Sequence, residues 1–313
     1  MRHYVLVILE TGPTPLPAGP ALLTVRQQGG VVVEIPVRVL PPHPALSGLP
    51  LRANLGEEAQ VLTIAGKGLD RIEAIETEAG MVELGAGRAD VRLAPRTTVG
   101  LYDLRLRVEG LPEPLVLPSA LRVAGPRPRI EGVRFALPRT TVSLRPAELP
   151  AGAPVTFEVK AVHAEGAAVR LRCGARTVDA RVSRLSPGAL FFTATMPDAG
   201  CSLEAEMETG EGVSCPHVLG RVVRLPRLQE LAVSGEALSE GVFAGSLRGL
   251  DLELIARTGW NGRDGLDVTA LPSPAGHEQA LDVPIPWPSP APRAPLYIWL
   301  RGDSEGRRTE LRY

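Results

Sequence analysis

A short pattern recurs four times along the chain, and each copy closes a segment of the same kind. It consists of a turn residue, a strand with alternating apolar and polar residues, a polar turn and a second strand. The copies occupy residues 19–39, 100–123, 199–223 and 294–313. An internal repeat of this kind indicates an array of similar domains that are joined end to end.

Period-two alternation is frequent in this sequence, whereas helix signals are nearly absent. In residues 102–108, apolar residues alternate with charged ones, which is typical of an antiparallel strand with one buried face. Sustained helical spacing of apolar residues, free of glycine and proline, is not found. The 33 glycines and 31 prolines interrupt the hydrophobic runs, as tight turns require. The predicted fold class is therefore all-β.

Prolines mark the predicted domain starts. Pro42, Pro126 and Pro226 each follow a closing strand almost directly, and proline suits short stiff linkers and sheet edges. We therefore place boundaries near residues 41, 125 and 225. The segments 42–125, 126–225 and 226–313 each have about the length of an immunoglobulin-like sandwich, so we predict tandem immunoglobulin-like β-sandwich domains.

Residues 1–41 are too few for such a domain. They contain three predicted strands, at residues 4–9, 21–26 and 31–39, and match only the closing half of the repeat. A sandwich needs about seven strands to cover both faces of its core. Either the chain is a fragment of a longer protein, or a partner chain donates the missing strands.

The segment 42–125 resembles the IPT/TIG family of immunoglobulin-like domains. Residues 61–69, VLTIAGKGL, match the family's strand with a glycine-rich kink, and residues 100–106, GLYDLRL, match its penultimate strand. The resemblance weakens through 126–225 and is faintest in 226–313. It implies the fold, but the family includes surface adhesins, enzyme-appended modules, receptors and transcription factors, so it does not fix a function.

Charge and hydropathy narrow the range of partners. Lys plus Arg number 34 and Asp plus Glu number 35, so a net charge of -1 gives no electrostatic reason to expect nucleic acid or an anionic membrane. The apolar run at residues 4–9 is far shorter than the ~20 residues of a membrane span and too short for a signal-peptide core. We expect no membrane insertion. The predicted location is extracellular or at the cell surface if the chain is a fragment, and cytoplasmic if Met1 is the true start.

No residue pattern indicates catalysis, a cofactor or a metal. The five histidines lack metal-ligand spacing, and both the nucleophile elbow and the phosphate loop are missing from the sequence. The glycine-rich segment 261–267 offers carboxylate and amide oxygens without the spacing of a calcium loop, so we interpret it as a plain loop. The Arg-Gly-Asp tripeptide at 301–303 is interpreted as a hairpin turn.

Two local features concern the stability of the predicted sandwiches. Cys201 and Cys215 lie on the two arms of one predicted hairpin, where they either form a disulfide or stay reduced, and Cys173 is predicted to be unpaired in both cases. Tyr102 follows a glycine at the start of a penultimate strand. We predict that Tyr102 forms a tyrosine corner, in which its hydroxyl makes a hydrogen bond to the nearby backbone.

The penultimate strand of the last segment is apolar on both faces. Alignment with its sister strands places Tyr297 and Trp299 inward, with Ile298 and Leu300 outward, and a shift by one residue exchanges the faces. In either register the second face must be covered, by the loop at 284–295 or by a partner. Trp287 lies in that proline-rich loop. Ile298, Leu300 and Trp287 are therefore the predicted partner-contact residues.

The sequence thus predicts a non-catalytic structural or interaction module of a larger bacterial surface or extracellular assembly. A protein partner or neighbouring subunit is the expected ligand. Two alternatives are a carbohydrate-binding module appended to an enzyme, for which a glycan is the ligand, and a decoration or cap component of a phage-like contractile particle.

Overall fold

The computed structural model describes residues 16–26, 29–40, 42–85, 87–186, 189–289, 291 and 293–313. Over these residues the chain forms β-strands and two short 3-10 turns, Leu69–Arg71 and Leu252–Leu254. This confirms the predicted all-β fold of tandem immunoglobulin-like sandwiches. The chain divides into two compact units, Met1–Pro126 and Arg127–Tyr313. The division into three complete domains at 41, 125 and 225 stays a prediction.

The first unit begins with a hairpin of two antiparallel strands, β1 (Gly19–Arg26) and β2 (Val32–Val39). Gly19 lies opposite Val39, and Arg26 lies opposite Val32. Within the described residues these two strands form a sheet of their own. We call them the N-terminal hairpin. The strand predicted at residues 4–9 lies outside the described residues.

The first sandwich follows the hairpin. Its strands are β3 (Ala45–Ser47), β4 (Leu51–Asn54), β5 (Gln60–Thr63), β6 (Ala65–Lys67), β7 (Ile72–Thr77), β8 (Gly80–Gly85), β9 (Arg88–Leu93), β10 (Gly100–Val108) and β11 (Leu115–Ala124). Seven of them form one sheet in the order β4-β11-β10-β7-β8-β9-β5, and β3 pairs with β6. Strand β8 pairs with both β7 and β9, so it joins the two layers of this sandwich at one side. Gly80 permits this close approach, because a Cβ atom there would lie 2.1 Å from the Arg92 carbonyl oxygen.

Tyr102 forms the predicted tyrosine corner. Its hydroxyl donates a hydrogen bond to the carbonyl oxygen of Thr98 at 2.8 Å and accepts one from the Thr98 amide at 3.2 Å. The ring is partly buried and packs against the core of the first sandwich. It thereby ties the loop before β10 to that strand.

The second sandwich contains β12 (Arg129–Ala136), β13 (Glu148–Pro150), β14 (Pro154–Val162), β15 (Ala168–Cys173), β16 (Arg176–Val178), β17 (Ala180–Ser186), β18 (Ala189–Thr195), β19 (Ser202–Thr209), β20 (Gly212–Val213) and β21 (His217–Val223). One sheet has the order β12-β14-β18-β17 and the other has the order β13-β21-β19-β15-β16. In chain order these are the A-B-E-D and G-F-C layers of an immunoglobulin fold. The stacked Phe157 and Phe192 lie in the core between them, with ring centroids 5.0 Å apart.

The third sandwich contains β22 (Arg227–Ser239), β23 (Val242–Leu250), β24 (Ile255–Gly259), β25 (Leu266–Asp267), β26 (Ser273–Ala275), β27 (Glu278–Pro286), β28 (Pro295–Leu300) and β29 (Arg307–Arg312). Its sheets have the orders β22-β23-β27-β26 and β25-β24-β28-β29, again the two layers of an immunoglobulin fold. Its core includes Leu247, Leu281, Ile285 and Leu296.

Candidate functional site

The second and third sandwiches share a strand at their junction. Val142, which precedes β13, forms an antiparallel bridge with Thr309 of β29. The Ser143 amide donates to the Arg308 carbonyl at 2.8 Å, and the Glu310 amide donates to the Thr141 carbonyl at 2.9 Å. Residues 141–143, which we call the junction strand, thus extend the sheet of the third sandwich.

The side chains of the junction strand strengthen this connection. Val142 is completely buried and belongs to the hydrophobic core of the third sandwich. The Thr141 hydroxyl accepts a hydrogen bond from the Leu228 amide at 3.0 Å and donates one to the Pro226 carbonyl at 3.3 Å. In the first two sandwiches the last strand pairs with a short parallel strand of the same sandwich, β4 or β13. The junction strand occupies the corresponding edge of the third.

A buried ion cluster lies beside the junction strand. Arg307 is 5% exposed and holds two carboxylates: its Nη2 lies 2.8 Å from Glu148 Oε1, and its Nε lies 2.6 Å from Asp303 Oδ2. Arg145 completes the cluster, with its Nη1 3.2 Å from Asp303 Oδ1. Two guanidinium groups and two carboxylates balance in charge, which is the condition under which burial of ions is tolerated.

The electrostatics of the cluster follow from its geometry. Burial raises the pKa of the Glu148 carboxyl, but hydrogen bonds from the Arg307 side chain and the Arg145 amide outweigh burial, so this pKa lies below its ordinary value. Burial lowers the pKa of Arg307, whereas its hydrogen bonds to Glu148 and Asp303 raise it more strongly. Glu148 and Arg307 therefore hold each other in their charged forms.

The Arg-Gly-Asp tripeptide contributes to this cluster. The turn is stabilised by a hydrogen bond from the Asp303 amide to the Leu300 carbonyl at 2.9 Å. The Asp303 side chain is 9% exposed and paired with two arginines, and the Arg301 Nε donates to the Glu253 carbonyl at 3.1 Å. Because its carboxylate is engaged, the tripeptide is not presented as a ligand.

The segment 261–267 uses its oxygens internally. Asn261 Oδ1 accepts hydrogen bonds from the amides of Arg263 and Asp264, at 2.7 and 2.8 Å. Asp267 pairs with Arg257, with Oδ1 2.8 Å from Nε. Among the described residues, no group of three or more His, Cys, Asp or Glu side chains is placed to hold a metal ion. In the same part of the chain, no helix has the length and apolar character needed to cross a membrane.

The cysteine pairing differs from the expectation. Cys173 and Cys201 form a disulfide with Cα atoms 5.5 Å apart, and Cys215 is exposed and free. Cys173 ends β15 and Cys201 precedes its neighbour β19, so the two lie side by side. Strand β20 lengthens the return arm of the hairpin, so Val222, and not Cys215, pairs with Cys201. The prediction that Cys173 is unpaired was therefore wrong.

The register of β28 also differs from the expected frame. Ile298 is 0% and Leu300 is 8% exposed, and both belong to the core of the third sandwich. They are not part of a surface that a partner can reach, which corrects their assignment as contact residues. In the aligned frame, Tyr297 and Trp299 were expected to face this core. The sequence pattern of β28 does not distinguish two registers that differ by one residue. The strand adopts the register in which Ile298 and Leu300 face the core.

The second face of β28 carries Trp299, whose ring is covered by two neighbouring loops. This side chain is 1% exposed. Two glycines lie directly against the ring: a Cβ atom at Gly265 would lie 2.6 Å from Cζ3, and one at Gly306 would lie 2.8 Å from Cη2. The loop before β25 and the turn before β29 thus cover this face, instead of the 284–295 loop or a partner.

Trp287 lies in an aromatic patch on the third sandwich. Its ring centroid is 5.5 Å from that of Phe243 and 5.4 Å from that of Tyr313, and Tyr313 is 6.4 Å from Trp260. Trp287 is 37% exposed and Tyr313 is 45% exposed. Trp260 is nearly buried and donates from Nε1 to the Pro286 carbonyl at 2.6 Å. We call these four residues the aromatic patch.

The structure adds residues to the site that the sequence did not identify. Phe243 and Tyr313 lie far from Trp287 in sequence, and no local pattern connects them. Glu148 and Arg307 are separated by 159 positions. In the sequence, Glu148 and Arg307 are recognisable only as charged residues next to apolar strands, and many residues of this chain fit that description.

No family model and no curated protein sequence matches the chain. Among solved structures, an I-band fragment from titin is similar with a TM-score of 0.30 and 11% identity, over 82% of this chain and 92% of that one. An ICAM-5 ectodomain fragment has a TM-score of 0.28 at 17% identity, over 84% and 75% of the two chains. The SGBP-B protein of the Bacteroides ovatus mixed-linkage glucan utilization locus, solved with a heptasaccharide, has a TM-score of 0.24 at 13% identity, over 85% and 66%. At these TM-scores the likenesses carry no information about the function of this chain.

Proposed function

We propose that the chain is a non-catalytic structural and interaction module of a larger bacterial surface or extracellular assembly. Its partner is a protein or a neighbouring subunit, and Trp287 is the central contact residue.

The observation that carries the proposal is the exposure of the aromatic patch. Trp287 and Tyr313 expose 37% and 45% of their surface although both pack against other rings. Trp and Tyr are enriched at the centres of protein interfaces, because they bury a large area with few rotatable bonds. Trp260 holds the patch in place through its hydrogen bond to the Pro286 carbonyl. The rings are thus preorganised for contact.

The Cys173–Cys201 disulfide supports an extracellular location. Disulfides persist in oxidising compartments and are rare in the bacterial cytoplasm. A particle assembled in the cytoplasm is accordingly the less favoured alternative. Mass spectrometry of unreduced protein from the source organism is expected to find Cys173 linked to Cys201 and Cys215 as a free thiol. Three free thiols would contradict an extracellular location.

The interaction itself is tested by affinity capture from the cell envelope of the source organism. The wild-type chain is expected to retain a specific protein that Trp287→Ala loses, with at least a tenfold lower yield, since hot-spot truncation costs about 2 kcal/mol or more. The matched control is Leu271→Ala, because Leu271 is 79% exposed on the same sandwich but lies outside the aromatic patch. Equal capture by both variants would overturn the assignment.

The aromatic patch also supports a second candidate, binding of a glycan. Exposed aromatic rings bind the apolar faces of sugars, and Trp287 reports such contact through its fluorescence. Titration with soluble β-glucan, xylan and chitin oligosaccharides tests this directly. Saturable quenching that Trp287→Phe abolishes would favour the glycan over the protein partner.

A further inference from the structure

A cavity of about 460 Å³ lies between the second and third sandwiches, beside the ion cluster. Both of its walls belong to the compact unit Arg127–Tyr313. Among the described residues, five arginines and two carboxylates line it, so the lining carries an excess of three positive charges. We call it the arginine cavity. Its charged residues are Arg145, Arg221, Arg224, Arg301, Arg307, Glu148 and Asp303.

Three of these arginines are already neutralised. Arg145 and Arg307 pair with the two carboxylates of the ion cluster. Arg224 pairs with Asp251 and Glu253, which do not line the cavity. When Asp251 and Glu253 are counted, five arginines still outnumber four carboxylates, so the surroundings of the cavity stay positive.

The other two arginines, Arg221 and Arg301, retain unused donors. The Arg221 side chain makes no hydrogen bond or ion pair with any described residue, and its register partner on β13, Glu148, is already held by Arg307. Arg301 donates from Nε to the Glu253 carbonyl at 3.1 Å, whereas its two Nη groups have no partner in the part of the chain that the structure describes. A guanidinium group matches the geometry of an oxyanion, to which it donates two parallel hydrogen bonds.

The backbone around both arginines is fixed. The Arg221 amide donates to the Ala147 carbonyl at 2.8 Å, and the Arg301 amide donates to the Leu254 carbonyl at 3.0 Å. Arg221 belongs to the second sandwich and Arg301 to the third, and the ion cluster favours one geometry of their junction. The two groups therefore need little reorganisation to contact one ligand, which lowers the entropic cost of binding.

The size of the cavity indicates a ligand larger than a bare ion. A water molecule takes up about 30 Å³ in the liquid, and typical pockets for small molecules measure roughly 300–1,000 Å³. Gly302 lines the cavity without a side chain that would fill it, and Val223, Leu254 and Leu300 add apolar surface. A charged group with a small organic body, such as a sugar ring, matches this lining.

We propose that the arginine cavity binds a small organic anion. Its carboxylate, sulfate or phosphate group accepts hydrogen bonds from Arg221 and Arg301, and its body occupies the remaining space between the two sandwiches. The site is separate from the aromatic patch, since the two share no residue.

Isothermal titration calorimetry of the full chain at constant ionic strength tests this proposal. The probes are glucose 6-phosphate, glucuronate, inorganic phosphate and neutral glucose. The two sugar anions are expected to bind saturably with a dissociation constant of about 1 mM or lower, whereas glucose is expected not to bind. Weaker binding of inorganic phosphate is expected, because it lacks the organic body. Equal affinity for inorganic phosphate and glucose 6-phosphate would overturn the role of that body.

Charge variants locate the site. Arg221→Gln and Arg301→Gln are each expected to weaken the binding of glucose 6-phosphate about tenfold, because each removes a charged donor. The matched control is Arg139→Gln, which changes the net charge equally at the same junction but lies outside the cavity lining. Arg221 is exposed, so its substitution is expected to leave the fold intact; circular dichroism and urea unfolding without ligand check each variant.

Three results would overturn the proposal: no saturable binding of either sugar anion, unchanged affinity in both cavity variants, or an equal loss of affinity in Arg139→Gln. Trp287→Ala is expected to leave the affinity for the sugar anions unchanged. Failure of the proposed function at the aromatic patch is thereby distinguishable from failure of the anion site.

Discussion

Arg307 is the residue that connects most groups at the junction of the second and third sandwiches. It satisfies Glu148 from one sandwich and Asp303 from the other, and it also donates to the Ser143 carbonyl at 3.4 Å. A buried ion pair adds little net stability compared with apolar residues, but losing one partner leaves an uncompensated buried charge. The ion cluster therefore contributes little net stability to the junction, but it favours the one geometry in which all its charges are paired.

Substitution of Arg307 by methionine is expected to destabilise the unit 127–313 by about 3–5 kcal/mol, because Glu148 then remains buried without a guanidinium partner and Asp303 keeps only Arg145. Urea unfolding followed by tryptophan fluorescence measures this loss. The matched control is Arg139→Met, which removes the exposed pair of Arg139 with Glu310 across the same junction. The control is expected to cost less than about 1 kcal/mol. Similar losses in both variants would contradict the role of the cluster.

The lowered pKa of Glu148 makes the junction sensitive to acid. A carboxyl whose pKa is lower in the folded state contributes stability above its unfolded pKa, near 4.5, and this contribution is lost as pH falls through the folded value. The variant Glu148→Gln resembles the protonated form. Wild type is expected to be the more stable protein at pH 6, and its advantage is expected to shrink as the pH falls below 4.5. Urea unfolding of both proteins between pH 6 and pH 3 measures this; a constant difference would count against the ion pair.

Tyr102 stabilises the first sandwich through its hydroxyl. The variant Tyr102→Phe keeps the packed ring but leaves the Thr98 carbonyl and amide without this partner, so a loss of about 1–3 kcal/mol is expected. Circular dichroism during thermal unfolding measures it. The control is Tyr297→Phe, because the Tyr297 hydroxyl makes no hydrogen bond to any described residue. An unchanged melting temperature for Tyr102→Phe would show that the corner adds no stability.

At the scale of elements, local patterns were predictable and non-local pairings were not. The repeated closing segments are antiparallel strand pairs in the structure, and the copy at 100–123 begins and ends on partners, Gly100 and Val123. Alternation with charged residues defines the faces of β10. Strand β28 is apolar at nearly every position, so its sequence does not choose between the two faces. The Cys173–Cys201 pair and the junction strand depend on contacts between distant segments, which no local pattern encodes.

The junction strand is expected to be part of the folding unit of the third sandwich. Val142→Ala removes two methyl groups from a fully buried site and is expected to cost about 2 kcal/mol. All three tryptophans lie in the third sandwich, so fluorescence reports on that sandwich although Val142 lies before β13. Val182→Ala, at a site 51% exposed, is the control and is expected to change stability by less than about 0.5 kcal/mol. An unchanged fluorescence midpoint for Val142→Ala would mean that the strand is dispensable.

At the scale of the whole molecule, the second and third sandwiches have separate hydrophobic cores, which we expect to depend on each other for stability. Val142 belongs to the core of the third sandwich, and Glu148 neutralises Arg307 of that sandwich. The repeat pattern predicts similar domains, but it does not reveal that one of them borrows a strand from its neighbour. The residues 127–313 accordingly form one compact unit.

A fragment of residues 226–313 lacks Val142, Arg145 and Glu148, so its β29 edge is open and its Arg307 has lost one of two carboxylates. The losses expected for Arg307→Met and Val142→Ala add up to about 5–7 kcal/mol, which is comparable with the whole stability of a small domain. The fragment is therefore expected to be unfolded, or to unfold at much lower urea than the fragment 127–313. In the longer fragment, fluorescence and circular dichroism are expected to give coincident transitions, because both sandwiches unfold together. If the fragment 226–313 unfolds at the same urea concentration as 127–313, the third sandwich is independent, and the junction strand and ion cluster serve only to orient it.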